Sequence, residues 1–426
     1  MLSRAGYIMK FLLSLFFLFT LNIVLGQSCV VNKIKFEGTK KTNTIFLQSL
    51  LEIKKGELLN ENLIQQDLTR LIRLPSLANA THKIDSTNNG CDLIIKIVEN
   101  KTTIPVVNLF DTSDREIAFL VGLYEHDLFK RAISFGGWYQ KNIFDSYGVG
   151  LRAPYLFSSN FGLEANAQNL STQEPVFFDN GIATYKYTNQ SVEVLGLYQF
   201  NFKNRVSIGV NVFKETYEGI SIDNIPEAPS DYSLNKILFK SVYTFDNLKY
   251  NYQYVSGFKS ELNVQYVLSS DEFSNKFAIA WNDFLYFKRL GKKGNFAQRL
   301  RFGLSTNDES PFAPFSVDNN LNIRGVGNII DRGTGVIISN SEFRYTMFEN
   351  EWGILQSNVF IDAGTWRNPG GDFTDFSDNN NVRVFPGVGV RFIHKKIFNL
   401  VLRADFGYGI TEDEPRGFVF GVGQYF

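Results

Sequence analysis

The chain has 426 residues, with 43 basic and 43 acidic side chains and a formal net charge of zero, so nothing in it points to nucleic acid as a partner. Aromatics make up 15 %, led by 41 Phe and 19 Tyr, while mean hydropathy is −0.12, too low for a bundle of membrane helices. The 3 His residues, His82, His126 and His394, lie far apart, which argues against a His-based metal or catalytic centre, and no cofactor is expected.

The N-terminus reads as a secretory signal peptide over residues 1–26. Lys10 precedes an apolar run from Phe11 to Leu25, and Gly26 supplies the small residue before a cut at Gln27. The run is too short and wrongly flanked for a permanent span. Met9-Lys10 would open a signal of ordinary length. Two cysteines come after it, Cys29 and Cys91, both exported, so a disulfide is permitted. Two small buried thiols fit the sequence equally well. Gly26-Gln27-Ser28 lacks the Leu of a lipidation motif.

Residues 28–100 differ in pattern from the rest of the chain. Val30 to Phe36 alternates as a strand, and Glu37-Gly38-Thr39 turns. Asn43 to Leu51 predicts a helix with Ile45, Phe46, Leu50 and Leu51 on its apolar side. Asn60 can cap a second helix carrying Ile64, Leu68, Leu71 and Ile72, which Pro75 ends. A weak strand near Ala80 to Ile84 and a strong one from Cys91 to Glu99 complete the order. Strand, helix, helix, strand, strand, opening on Val31-Asn-Lys-Ile-Lys-Phe-Glu-Gly38, resembles a POTRA domain, the periplasmic module of outer-membrane assembly and two-partner secretion proteins. The resemblance implies that the first and third strands are parallel neighbours. Cys29 and Cys91 would then sit near their starts, compatible with a bridge.

From Thr103 to Phe426 the pattern changes to a two-residue alternation. About sixteen strands are expected, beginning near 103, 116, 131, 146, 160, 188, 203, 233, 258, 276, 294, 336, 354, 383, 398 and 416. Links after even-numbered strands are short. Long polar links are expected after odd-numbered ones, at Ser171 to Tyr187, Glu218 to Tyr232, Thr306 to Gly335 and Arg367 to Asn381. The fold class read from this is an all-β transmembrane barrel, preceded by one small α+β domain. In the final strand Phe418, Phe420, Val422 and Phe426 share one face, with Gly417, Gly421, Gly423 and Tyr425 on the other. Gly421 and the terminal Phe426 fit a C-terminal assembly signal, whereas Gln424 stands where an apolar residue is preferred.

The longest link contains Leu321-Asn-Ile-Arg-Gly-Val-Gly327, and two strands on comes Phe360-Ile-Asp-Ala-Gly364. Together they resemble the Arg-Gly loop motif and the FxDxG wall motif of the BamA/TamA-type superfamily. Phe245-Asp246-Asn247 with Gly257, Gly387 to Phe392 and Arg403 to Gly409 are similar to further segments of that barrel. The resemblance implies that the loop enters the lumen, that Arg324 pairs with Asp362, and that Glu342 assists as a second wall carboxylate. Gly325 and Gly327 would let the backbone turn and approach the wall.

The resemblance also implies a location in a bacterial outer membrane, with residues 28–100 in the periplasm. Unfolded outer-membrane or secreted client proteins, outer-membrane lipids and accessory periplasmic proteins are the implied partners. No enzymatic activity is expected. Thr102, Thr103 and Pro105 make the first barrel strand a poor match for the last, which predicts a weak seam. The alternatives are a dedicated secretion pore and a passive channel or structural barrel.

Overall fold

The computed structural model describes residues 29–111, 117–178, 181–222, 225–226, 228–270, 275–307, 313–317, 322–326, 332–398, 400–411 and 416–426. The expected signal peptide, and Leu321 and Gly327 of the loop motif, lie outside the described residues.

Five elements build the N-terminal module: β1 (Val31–Glu37), α1 (Thr44–Leu50), α2 (Glu61–Ile72), β2 (Leu77–Thr87) and β3 (Gly90–Glu99). Both helices start where an Asn side chain takes up free amides. Asn43 accepts from Ile45 and Phe46, and Asn60 accepts from Leu63. The sheet order is β1-β3-β2, with β1 parallel to β3 and Val31 opposite Cys91. Cys29 and Cys91 form a disulfide across 5.8 Å between their Cα atoms. Leu47 and Leu50 of α1, Ile64 and Leu71 of α2, and Leu93 and Ile95 of β3 make one apolar core. Ile45, expected on the buried side, is 79 % exposed instead. The helix is 7 residues long, and its inward stripe runs through Phe46, Leu47 and Leu50.

The module is pinned under the barrel. Arg73, at the C-cap of α2, donates to the backbone oxygens of Phe202 at 2.9 Å, Asp246 at 3.2 Å and Leu248 at 3.0 Å. It also reaches the Asp246 carboxylate at 3.0 Å. Ala132 and Tyr155, from two barrel turns, pack into the module's apolar core.

The barrel runs through β4 (Thr103–Asp111), β5 (Ile117–Leu128), β6 (Ile133–Asn142), β7 (Phe144–Ala153), β8 (Phe161–Phe178), β9 (Gly181–Gln199), β10 (Asn204–Ser221) and β11 (Asp231–Asp246). After the short β12 (Lys249–Asn251) come β13 (Tyr254–Ser269), β14 (Lys276–Leu290) and β15 (Gly294–Ser305). A two-stranded piece, β16 (Phe315–Ser316) with β17 (Arg332–Gly333), interrupts the wall. It then resumes with β18 (Gly335–Glu349), β19 (Gly353–Arg367), β20 (Val382–His394), β21 (Val401–Tyr408) and β22 (Arg416–Val422). β4 to β15 and β18 to β22 close into one antiparallel ring of 16 strands, with β12 as a short flap on β13.

The outer face of this ring is apolar. Val192, Ile208, Val212, Val359, Ile361 and Val388 are all more than half exposed, and polar side chains alternate with them toward the lumen. A closed ring has no unpaired edge to satisfy in hydrocarbon, so such an exterior suits a bilayer.

Two expectations are corrected by the structure. Ser171 to Tyr187 is not a loop, because β8 and β9 stay registered from Phe161↔Tyr198 to Phe178↔Gly181. Strands of 18 and 19 residues exceed the roughly 10 a bilayer needs, so this hairpin and its neighbours rise well beyond the apolar band. Its upper part buries Val176, Tyr185, Tyr217 and Leu234 in a separate small core. Glu218 to Tyr232 does contain a link between strands as expected, though a shorter one, since β10 continues to Ser221 and β11 begins at Asp231. The second correction concerns Phe426. β22 ends at Val422, Gly423 turns at φ +102°, and Phe426 lies inside the barrel near Phe287 rather than on the outward face.

A lumenal arginine lock as the candidate functional site

The segment between β15 and β18 folds into the lumen. Its apolar part comes first: Phe315, Val317, Ile323 and Val326 pack with Val336, Ile338, Trp366 and Phe385 of the wall. Asn322 fixes the descent. Its amide donates to the Ser316 carbonyl at 2.7 Å, and its own carbonyl accepts from the Asn340 side chain at 2.7 Å. Arg299 and Arg301 both donate to Asn322 Oδ1 and both pair with Asp283 of β14.

Arg324 sits at the bottom with no solvent exposure. Its Nε donates to Asp362 Oδ2 at 2.8 Å and its Nη2 to Asp362 Oδ1 at 3.0 Å, a two-pronged pair. The Arg324 backbone amide donates to the same carboxylate at 3.0 Å. Nη1 reaches Glu342 at 2.7 Å and lies 3.6 Å from Asp405. The guanidinium is also sandwiched. The Phe360 ring centre is 3.6 Å from Cζ on one side, and the Tyr425 ring centre 4.3 Å on the other.

Glycines let the loop come this close. Gly325 has φ +94°, and a Cβ there would meet the Gly407 backbone at 2.7 Å. A Cβ on Gly407 would meet the Arg324 carbonyl oxygen at 2.1 Å. The loop backbone therefore lies on β21 with no room for a methyl group on either side.

The carboxylates are shared further. Glu342 accepts from Arg344 at 2.6 Å and pairs with Arg391 at 2.5 Å. Asp405 pairs with Arg403 at 3.2 Å and accepts from the Asn358 amide at 3.0 Å. Arg391 in turn donates to Gln424 at 2.6 Å. The result is a buried ionic layer, with Arg324 at its centre, beside an apolar plug. Every group in it holds charge in place; none is set up as a nucleophile with a base beside it.

The structure thus brings Arg324, Gly325, Glu342 and Asp362 together. Gly421 lies on β22 facing inward, where a Cβ would stand 3.0 Å from Arg403 and 3.1 Å from Asn108. Cys29 and Cys91 are remote, in the N-terminal module. Sequence reasoning missed Asp405, Arg391, Arg344 and Tyr425 as members. Asp405 lies in Arg403 to Gly409, and an Asp two residues after an Arg on an inward-facing stripe was the available signal.

The ring also has a weak place. β22 and β4 share only Val419↔Phe110, Phe420↔Leu109 and Gly421↔Asn108 among the described residues. On their other sides β21 and β22 register from Leu402↔Val422 to Tyr408↔Arg416, and β4 and β5 from Thr103↔Glu125 to Asp111↔Ile117.

An apolar-jacketed ring of 16 strands, a plugged lumen and a small α+β module at the mouth define an outer-membrane β-barrel with a POTRA domain. Residues 29–100 match the POTRA family, described as surface antigen variable number repeat. The barrel fold is similar to that of solved BamA and CdiB structures. BamA of Haemophilus ducreyi, solved without POTRA domains 1–3, aligns at 15 % identity and TM-score 0.56, over 93 % of this chain and 85 % of its own. CdiB of Acinetobacter baumannii aligns at 14 % and 0.59, over 93 % and 74 %. CdiB of Escherichia coli aligns at 11 % and 0.62, over 93 % and 77 %. No curated protein sequence matches the chain.

Proposed function

We propose that this protein assembles or translocates client proteins at the bacterial outer membrane. The POTRA module captures extended client segments in the periplasm, and the barrel works at the β22–β4 seam. The carrying observation is that seam: among the described residues three registered pairs join β22 to β4, against seven between β21 and β22 and nine between β4 and β5. An edge so lightly held can open sideways and offer β4 as a template for an incoming strand. The POTRA sheet supplies a second edge. Its order leaves the outer side of β2 without a strand partner among the described residues, while at the start of β1 the Val31 amide donates to the Glu57 carbonyl and the Val31 carbonyl accepts from Gly56. The plugged lumen speaks against a passive channel, and the work needs no bond-making chemistry.

The test links the seam with Asn108→Cys and Gly421→Cys through a bismaleimide, then profiles the outer membrane and the medium. Broad loss of other barrel proteins is the outcome expected of a general assembly factor. Loss of a single secreted or surface protein would assign the chain to dedicated translocation. If linking changes neither fraction, the reading fails.

A further inference from the structure

Between the small upper core and the plug, the lumen holds a cavity of about 270 Å³. It lies toward the end of the barrel away from the POTRA module, walled by the upper parts of β8 to β11 with β13 and β14. Ala313 and Arg332, from the segment that carries Arg324, close one side. Four charged groups line it in two pairs. Arg332 is bonded to Glu174, and Lys236 to Glu215 at 2.5 Å. Glu174, Glu215 and Lys236 are all buried. Tyr187 donates its hydroxyl to Glu215 at 2.8 Å and accepts from the Asn189 amide at 3.0 Å. Its ring centre lies 5.1 Å from that of Tyr217. Asn211 Oδ1, also lining the cavity, is buried with no hydrogen-bond partner among the described residues. So much polar surface around a space this size is costly unless something answers it.

The chemistry of the lining narrows what that is. Two anions and two cations leave no net charge, so an ionic ligand would have to break a pair that is already made. Beyond those pairs the carboxylates keep acceptor positions, and the lysine and arginine keep N–H donors. The tyrosine rings add apolar faces. The complementary molecule is small and neutral, with hydroxyls around its rim and C–H bonds on one face. We propose that this cavity binds a single neutral sugar ring, entering from the end of the barrel opposite the POTRA module. Its hydroxyls bond to Glu174, Asn211 and Glu215, and its C–H face lies against the Tyr187–Tyr217 pair. Because Arg332 and Ala313 belong to the Arg324 segment, the occupant touches wall and loop together and helps hold the loop in the lumen. None of this depends on whether the barrel assembles or translocates clients.

The test uses the full chain in lauryldimethylamine oxide micelles, which carry no sugar headgroup. Saturation-transfer NMR is recorded with methyl glucoside, methyl galactoside and methyl mannoside, each beside its free monosaccharide. Saturable transfer from at least one is expected, with a Kd of about 1 mM or tighter. A response to a methyl glycoside assigns the end of a glycan, and a response to a free monosaccharide alone assigns a soluble sugar. Asn211→Leu should weaken binding about fivefold, the share of one hydrogen bond. That oxygen has no protein partner to lose, and heat-shifted gel migration checks that the barrel is intact. Asn211→Ala gives the same readout if the leucine variant does not fold. The site is overturned if none of these sugars gives saturable transfer, or if neither Asn211 variant weakens the binding. Tighter binding of sodium glutamate than of every sugar also overturns it.

Discussion

In the POTRA module the side chains with no solvent exposure include Val31, Leu47, Leu71 and Leu93, whereas in the lumen they include Arg324, Asp362, Arg391 and Asp405. The first core draws its stability from apolar area and close packing, so its losses scale with the volume removed. The second draws on pairing, because each charge is tolerable only while its partner is present. A defect in the module should therefore be graded and local, and a defect in the lumen should spread to every group that shares a carboxylate.

The sharpest way to break this contrast is to remove one lumenal partner. Arg324→Ala is expected to destabilise the barrel by about 3–5 kcal/mol, measured by thermal unfolding in micelles, because Asp362 is left buried and charged. Arg324→Met combined with Asp362→Leu should recover most of that loss. Failure to recover would mean that the loop is held by packing, as the module is. Next comes the cross-link that the module has and the lumen lacks. Replacing Cys29 and Cys91 by Ser reopens a loop with a sequence separation of 62 and should cost the module about 4 kcal/mol in the chain-entropy account. Protease susceptibility within residues 29–100 would report it. Leu71→Ala should cost about 3 kcal/mol through the cavity it leaves, with no second substitution able to rescue it by charge balance.

The smallest effect is a pH dependence in the module. Burial works against the Glu99 carboxylate, but backbone amides of Thr42, Lys41 and Lys40 donate to it and hold its pKa below the usual 4.5. Since the folded value is the lower one, the stabilisation is present above the unfolded pKa and is lost as pH falls through the folded value. Glu99→Gln should flatten the module's stability profile below about pH 4.5 and leave it almost unchanged at neutral pH. Equal slopes in the two proteins would remove the interaction from the account.

The parts of the molecule that sequence reading reached are those whose chemistry is local. An Arg-Gly pair in the longest link and an Asp framed by Phe and Gly two strands later brought Arg324, Asp362 and Glu342 into one hypothesis through their resemblance to the motifs of a known barrel family; their spacing alone would not have paired them. Arg391 and Tyr425 were out of reach because they join the cluster, Arg391 through Glu342 and Tyr425 over the Arg324 guanidinium, only when the ring closes and brings β20 and the residues after β22 beside the loop. The upper halves of β8 and β9 were read as loop for a different reason. Above the membrane both faces of a strand contact water or other protein, so a polar residue such as Gln173 stands on the outward half of the alternation and its signal fades. Ile45 and Phe426 show a third limit. Period places a residue on a stripe, but where an element ends decides whether the stripe continues.

The disulfide has a consequence for the order in which the chain can fold. Cys29 and Cys91 enclose nearly the whole POTRA sequence, and Cys91 emerges before Thr103, the first residue of the wall. Oxidation can therefore be finished while every membrane strand is still to come. The module's apolar core can thus be cross-linked before the turns that carry Ala132 and Tyr155 come to pack on it.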